Sequence, residues 1–431
     1  MLNVYRIELR RSPLLTAFPV MIAVDLVVLF GRSRYWMGVW PEASVAAQVV
    51  TMFLGPVLAG VSAWQAGRSS RSGMPEFLLG AARPSWRIEA VRLAATLTLG
   101  FLAYGIGCLT AAAVSFGDAG PGFLWPSYLL LGAAALIIYA SVGHLAGRWW
   151  PSAGFTPIVC ALGSLIALLV LPLKFDVLAG PPDTYVRPQT VAVRVLCAVA
   201  LAVLAVTAPP LKGRAVPRRK TPLHLRGVAA GAAACSLVLM ALAAPKDGQL
   251  TVARPSSAVT PLCDRASQDA PRVCVWPEHR KYLPDLTRMA QRLGQTGQPG
   301  MKAPDAFYEF GLRRTKLGDR GLDITEGHTR TAAIAMAHQV FTESFGQCRP
   351  PHHEKRAWQA IDNLHLWLEY RSMGQDPAVA DRGLHMEGIS EAQRQVTTAV
   401  HMSSAEQQKW VAEERSQLLR DTAWCTPDEW N

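Results

Sequence analysis

The chain has 431 residues, half of them hydrophobic, and a formal net charge of +11. Residues 1–245 carry 20 Lys and Arg against 8 Asp and Glu, while the remainder carries 23 against 24. The excess positive charge therefore sits wholly in the apolar first part, which tells against nucleic acid as a partner: a DNA-binding surface would place its bases on a soluble domain.

Crossing the hydrocarbon core takes about 20 mostly apolar residues. Seven stretches meet that need in chain order: 13–31, 44–66, 89–116, 124–147, 154–173, 189–209 and 225–244. The first has an apolar run too long for a signal peptide and no small-x-small cleavage site, so it reads as a retained anchor. The third is long enough to tilt or break. The fifth is the shortest and comes after Pro151. Loop charges set the orientation. With the segment before the first span in the cytoplasm, the inner loops hold 15 Lys and Arg and the outer ones 5. That bias is a positive-inside signal. Trp36, Trp40, Trp125, Trp149 and Trp150 fall near the expected interfaces, where amphipathic rings gather. Ionisable groups inside spans are costly and often functional. Asp25 and His144 are the two intramembrane candidates, and Arg194 opens the sixth span where its head can snorkel outward. For Asp25 the plainer reading is an ion pair with Arg32 or Arg34.

Between the second and third spans lies a basic segment, Trp64 to Ile88. Pro75 and Glu76 favour the opening of a short helix, Phe77, Leu78 and Leu79 supply its apolar side, and Pro84 ends it. The order of Arg71, Gly73, Glu76, Phe77, Leu78, Leu79, Pro84, Trp86 and Arg87 resembles the cytoplasmic loop of the membrane subunits of type-2 ABC exporters. About 25 residues carry the match directly, and the first six spans extend it. The resemblance implies that Glu76 to Leu79, with the neighbouring arginines, dock on a separate ABC ATPase subunit that holds the ATP and Mg. It implies pairing with a second permease, as homodimer or heterodimer, within membrane lipid. No P-loop occurs in this chain, so no cofactor and no ATP hydrolysis are expected in it. The family core has six spans. A seventh span and a large soluble domain depart from it and resemble a group of actinobacterial permease-like proteins.

An odd number of spans places the C-terminal part of the chain outside the cell. Residues 246–260 read as a polar linker and 261–431 as an extracytoplasmic domain. Cys108, Cys160, Cys197 and Cys235 lie in spans; Cys263, Cys274, Cys348 and Cys425 lie in the soluble domain. An even number there suggests disulfides. Four cysteines allow three pairings; the short segment from Cys263 to Cys274 favours that pair, leaving Cys348 with Cys425. Val273 to Trp276 read as a strand stopped by Pro277. Helices are expected after Pro284 (Leu286, Met289, Ala290, Leu293), over 329–345, over 353–373 and, long and polar, over 390–420. His353-Glu354 lacks the second imidazole at i+4 that an H-E-x-x-H zinc helix needs. A composite metal site from His338, His353 and His365 is the weaker reading beside ordinary helix histidines, and no metal is assigned. Glu278 and His279 beside Trp276 read as surface. No G-x-S-x-G elbow or other catalytic constellation occurs. The fold class expected is thus an all-α polytopic membrane bundle of about seven helices, spanning 1–245, plus an α-rich soluble domain with a small β element. The leading function is an ABC-type membrane subunit; the rival is a membrane-anchored extracytoplasmic binding or sensing protein.

Overall fold

The computed structural model describes residues 2–31, 36–71, 85–170, 179–209, 223–243, 250–298, 300–313, 321–324, 329–374, 391–420 and 424–426. The chain is mostly helical with a few short strands. It divides into two compact units: one spans the chain to Val252, and the other comprises Ala253–Asn431 with the short segments Ala119–Pro121 and Pro181–Asp183.

The first unit contains α1 (Leu2–Arg10), α2 (Pro13–Gly31), α3 (Trp40–Val49), α4 (Thr51–Arg71), α5 (Ser85–Ser115), α6 (Pro126–Trp149), α7 (Phe155–Val170), α8 (Pro188–Thr207) and α9 (Leu223–Ala243). Among the described residues, five helical runs are long and apolar enough to cross a membrane: Pro13–Gly31, Trp40–Arg68, Trp86–Ser115, Pro126–Trp149 and Pro188–Thr207. They coincide with the first, second, third, fourth and sixth stretches expected. The apolar part of α7, Phe155–Ala167, is shorter. Proline opens α3, α6 and α8, where its fixed φ suits the first turn and its missing N–H costs nothing.

Packing in this unit follows the small residues. On α6, Gly143 and Gly147 stand four apart, as do Ala59 and Ala63 on α4. A Cβ at Gly143 would overlap the Ala59 carbonyl oxygen, and one at Gly147 would overlap that of Ala63. Two backbones thus touch along a small-xxx-small seam, the means by which helices associate in lipid without a hydrophobic driving force. Gly60 of α4 meets α7 in the same way: a Cβ there would stand 3.0 Å from the Pro157 carbonyl oxygen. The helix α8 packs on α6 and on α9. The peripheral α2 buries one stripe, Leu14, Met21, Asp25 and Leu29, and packs along α5. Trp36 and Trp40 are buried within the protein.

The second unit is built on α10 (Leu283–Gly294), α11 (Thr329–Phe345), α12 (Lys355–Met373), α13 (Glu391–Val400) and α14 (Ser404–Leu418). The central helix is α12, which touches the other four and buries Ile361, Leu364, Trp367, Leu368 and Tyr370. Gly374 ends it at φ +63°, a left-handed turn that glycine enters without steric cost. Arg292 of α10 donates to the Ser372 and Met373 carbonyls at 3.0 and 2.7 Å, placing a cation at the negative end of the helix.

Among the described residues the β element has two strand pairs and a three-stranded sheet. Strand β1 (Thr184–Val186) pairs with β2 (Thr251–Ala253), so part of the expected linker is a strand. In the sheet β3 (Leu262–Asp264), β4 (Arg272–Val275) and β5 (Ala306–Tyr308), β4 is central, antiparallel to β3 and parallel to β5. Val273 to Trp276 are fully buried in succession, as a strand covered on both faces must be. The last pair joins β6 (Gln347–Cys348) to β7 (Cys425–Thr426).

One expected helix is two. The run expected over 390–420 breaks at 401–403 because Ser403 forms a capping box with Glu406: the Glu406 N–H donates to the Ser403 hydroxyl while the Glu406 carboxylate receives the Ser403 N–H. That exchange starts a new helix. It overrides the continuous polar pattern.

The glycine seam gives a direct test. Gly143→Leu or Gly147→Leu is expected to lower the melting temperature of the solubilised protein by roughly 5 °C or more, from an overpacking cost of about 1–3 kcal/mol. Gly163→Leu, where a side chain meets nothing within 4 Å, is expected to leave melting unchanged.

Candidate functional site

Several polar groups of the first unit gather near the start of α5. Glu89 and Arg92 of α5 sit 3.2 Å apart, Arg92 lies 3.7 Å from Glu8 of α1, and His144 of α6 lies 3.0 Å from Glu89. Arg148 donates to the Ala205 and Val206 carbonyls at the end of α8, at 2.7 and 3.0 Å. Beside them Gln65 of α4 donates to Ser12 at 2.7 Å and accepts from Thr96 of α5 at 2.8 Å. His144, expected from sequence, is thus paired. Glu89 and Arg92, its neighbours, were not expected as site residues, although both stand in the first turns of the third apolar stretch.

Asp25 behaves differently. Its side chain is wholly buried and packs against Gly107 of α5. Among the described residues no side chain bonds either carboxylate oxygen and no ion pair reaches it; the backbone of Gly107 is its polar neighbour. The expected partners Arg32 and Arg34 lie outside the described residues. Arg194 does not snorkel: it is buried within α8.

The expected coupling loop falls largely outside the described residues. Arg71 ends α4, Gly73, Glu76, Phe77, Leu78, Leu79 and Pro84 lie outside the described residues, and Trp86 and Arg87 open α5. The Arg87 guanidinium stands over the Trp86 ring at 5.4 Å, a cation–π contact.

In the second unit both disulfides form with the expected pairing. Cys263 and Cys274 are register partners across β3 and β4, and Cys348 and Cys425 across β6 and β7. The neighbourhood of Trp276 is a buried centre, not surface. Glu278 and His279 are both buried. Glu309 accepts from the Trp276 N–H at 2.9 Å and pairs with His279 at 2.6 Å. Arg254 bonds Glu278 at 2.8 Å and covers the Trp276 ring at 4.9 Å. Glu278 is thus answered by Arg254, and Glu309 by hydrogen bonds from Trp276 and His279, the kind of pairing that a buried carboxylate requires. Sequence reasoning missed this because Glu309 lies 30 residues from His279.

Among the described residues lies a cleft of about 650 Å³ whose lining includes residues of α11, α12 and α13. That size suits a small-molecule site. Asp362, His365, Leu366 and Glu369 of α12 lie on its wall, spaced so that they share one helical face. His338 of α11 comes from across the cleft, its ring centroid 5.3 Å from that of His365. His365 also stands edge-on to Phe341 at 4.1 Å. Burial, with the nearby His338, lowers the His365 pKa to about 4, so its ring is neutral at pH 7. Asp362 is exposed, and partial desolvation by its neighbours raises its carboxyl above the usual range. Burial raises Glu369 too, against the opposing pull of Arg330, which bonds it at 2.6 Å.

The composite metal site does not assemble. His338 and His365 come together, but His353 is 80 % exposed and lies against Glu354. Among the described residues no three His, Cys, Asp or Glu side chains are placed to hold a metal ion.

With this geometry in view, the comparisons with known proteins bear on the second unit alone. A family model, described as a domain of unknown function (DUF7224), matches residues 273–420. The match holds most of β4, the Trp276 centre apart from Arg254, and all of the cleft's lining residues. No curated protein and no solved structure matches the chain.

The histidine in the cleft gives a pH dependence with a defined sign. The folded pKa of about 4 lies below the ordinary 6.5, so the unfolded chain takes up this proton first. The stability from a neutral His365 is complete above pH 6.5 and is lost as pH falls from 6.5 toward 4. Asp362 and Glu369, raised by desolvation, act in the opposite sense. The readout is therefore a difference: between pH 6.5 and 4, His365→Leu should reduce the pH slope of unfolding stability by up to about one proton relative to wild type, measured by denaturant titration of the full chain in micelles.

Proposed function

We propose that this chain is the membrane-spanning subunit of an ABC-type exporter, coupled to a separate cytoplasmic ATPase through the loop at 67–88. The observation that carries the reading is that loop's residue order, held between two span-length helices that end at Arg71 and begin at Ser85. A docking segment of this kind needs rigid helices on both sides, so that a push from the ATPase moves the bundle. The seam of α4 and α6 supports such rigidity, and α4 leads directly into the loop.

The reading takes seven crossings: the five long helices, α7 extended by the apolar residues next to it in sequence, and the 21-residue α9. It puts the segment before α2 in the cytoplasm and the disulfide-bonded unit outside, where thiols oxidise and disulfides persist. The chain itself supplies no ATP chemistry. ATP and Mg belong to the partner, and a second permease completes the pathway.

Glu76→Lys combined with Leu78→Asp is expected to abolish co-purification of the ATPase while leaving the membrane protein at wild-type level. Retention of the ATPase by that variant would refute the docking role. Topology has its own check: a membrane-impermeant thiol reagent added to intact cells after mild reduction is expected to label Cys348 and Cys425, and labelling only after lysis would reverse the orientation.

The second reading, a membrane-anchored extracytoplasmic binding or sensing protein, is favoured by the cleft between α11, α12 and α13. The two are compatible where the external unit receives the cargo or reports its presence.

A further inference from the structure

We propose that the outer face of α1 is a docking surface for anionic phospholipid, seating phosphate headgroups beside the first turns of α5. The proposal rests on the first unit lying in a membrane. It is independent of coupling to an ATPase and of the cleft in the second unit.

One side of α1 is fixed to the bundle. The Tyr5 and Thr98 hydroxyls stand 2.7 Å apart, and Glu8 lies 3.7 Å from Arg92, which ties the helix to α5. Ser12, just past its end, accepts from the Gln65 amide of α4 at 2.7 Å. These tethers hold a nine-residue helix against two spans, and they set its depth. Trp86 and Arg87 are exposed at the start of α5, an aromatic and a base of the kind that anchors in the polar layer. Arg92 stands six positions further along α5, about 9 Å at 1.5 Å per residue. A helix held at that level lies at the boundary of headgroups and acyl chains, where interfacial helices sit.

The other side of α1 is open, and its chemistry selects the occupant. Leu2 and Ile7 are 63 % and 51 % exposed, and Arg6, Arg10 and the adjacent Arg11 are exposed with them. Arg6 and Arg10 stand one turn apart on the same face. Glu8 is the single acid of α1 and is engaged by Arg92, so among the described residues no carboxylate pairs with these three arginines. A guanidinium holds a phosphate through paired N–H donors, and the neighbouring apolar side chains suit acyl chains. Phospholipid offers both at once. The depth of the helix favours lipid over a soluble protein as its partner.

The test uses the full chain in dodecyl maltoside micelles, titrated with dioctanoyl phosphatidylglycerol or with phosphatidylcholine of the same chain length. Lipid retention is followed by native mass spectrometry. The expected result is preference for phosphatidylglycerol, weakened at least tenfold when Arg6, Arg10 and Arg11 are all replaced by Gln. The same replacement at Arg214, Arg218 and Arg219, which removes as much charge elsewhere, is expected to leave that binding unchanged. Matching melting curves in lipid-free micelles establish that the variants are folded. Should the α1 triple variant melt early, Ile7→Asp, at an already exposed position with the arginines intact, is expected to weaken the same lipid. Equal retention of the two lipids, or equal loss in both triple variants, overturns the proposal by reducing it to general charge attraction. Unchanged phosphatidylglycerol binding in the α1 variant overturns it as well, and loss of a co-purifying ATPase by that variant would then assign the face to protein. The loop-docking reading stands or falls on its own experiment at Glu76 and Leu78.

Discussion

Two helices in hydrocarbon gain nothing from hiding apolar surface, so their attraction depends on how closely their backbones approach. In this protein the approach is closest where Gly143 and Gly147 of α6 lie on Ala59 and Ala63 of α4. The remaining helices of the first unit are arranged about that seam. Gly60 brings α7 to the other side of α4, and α8 packs on α6 and receives the Arg148 side chain at its last turn. The polar groups of α1, α4, α5 and α6 then meet as hydrogen-bonded partners. Without the seam, Glu89 and Arg92 would be separate charges and His144 an unpaired polar ring in an apolar medium, each carrying its own desolvation cost.

The two units solve the same problem of buried charge with different tools. The membrane unit uses a network spread over several helices, with Asp25 left against a glycine. The second unit uses compact sets: Trp276, His279, Glu278, Glu309 and Arg254 at the sheet, and Arg330 with Glu369 beside the cleft. Asp25 stands out from both patterns: it is closed in by packing and has no ion pair among the described residues.

The apolar runs placed five long helices correctly because hydrocarbon thickness fixes their length, and that requirement is written locally in the sequence. The hairpin disulfide was legible for the same reason: eleven residues separate Cys263 from Cys274, and a short loop leaves few ways to close. Local chemistry was also the source of one error. Ser403 and Glu406 spell out a helix start, yet the long polar pattern around them hid it. What escaped the sequence was set by distance along the chain. His279 finds Glu309, His144 finds Glu89 at a separation of 55, and His338 finds His365 only once α11 and α12 are packed. The cleft left one signal: Asp362, His365 and Glu369, spaced three and four apart, form a polar stripe on a helix otherwise rich in buried apolar residues. Such a stripe marks a helix face that meets something other than core.

The bond between Cys348 and Cys425 spans 77 positions. It closes a covalent hoop that holds α12, α13 and α14, and α11 ends just before it. In the chain-entropy account a ring of that size removes on the order of 4 kcal/mol of freedom from the unfolded state. It also changes what damage means. A single backbone cut inside the hoop leaves both fragments on one molecule, so the helices that wall the cleft cannot drift apart by hydrolysis alone. On the proposed topology, where secreted proteases reach this unit, the sulfur bridge serves as insurance against a nick.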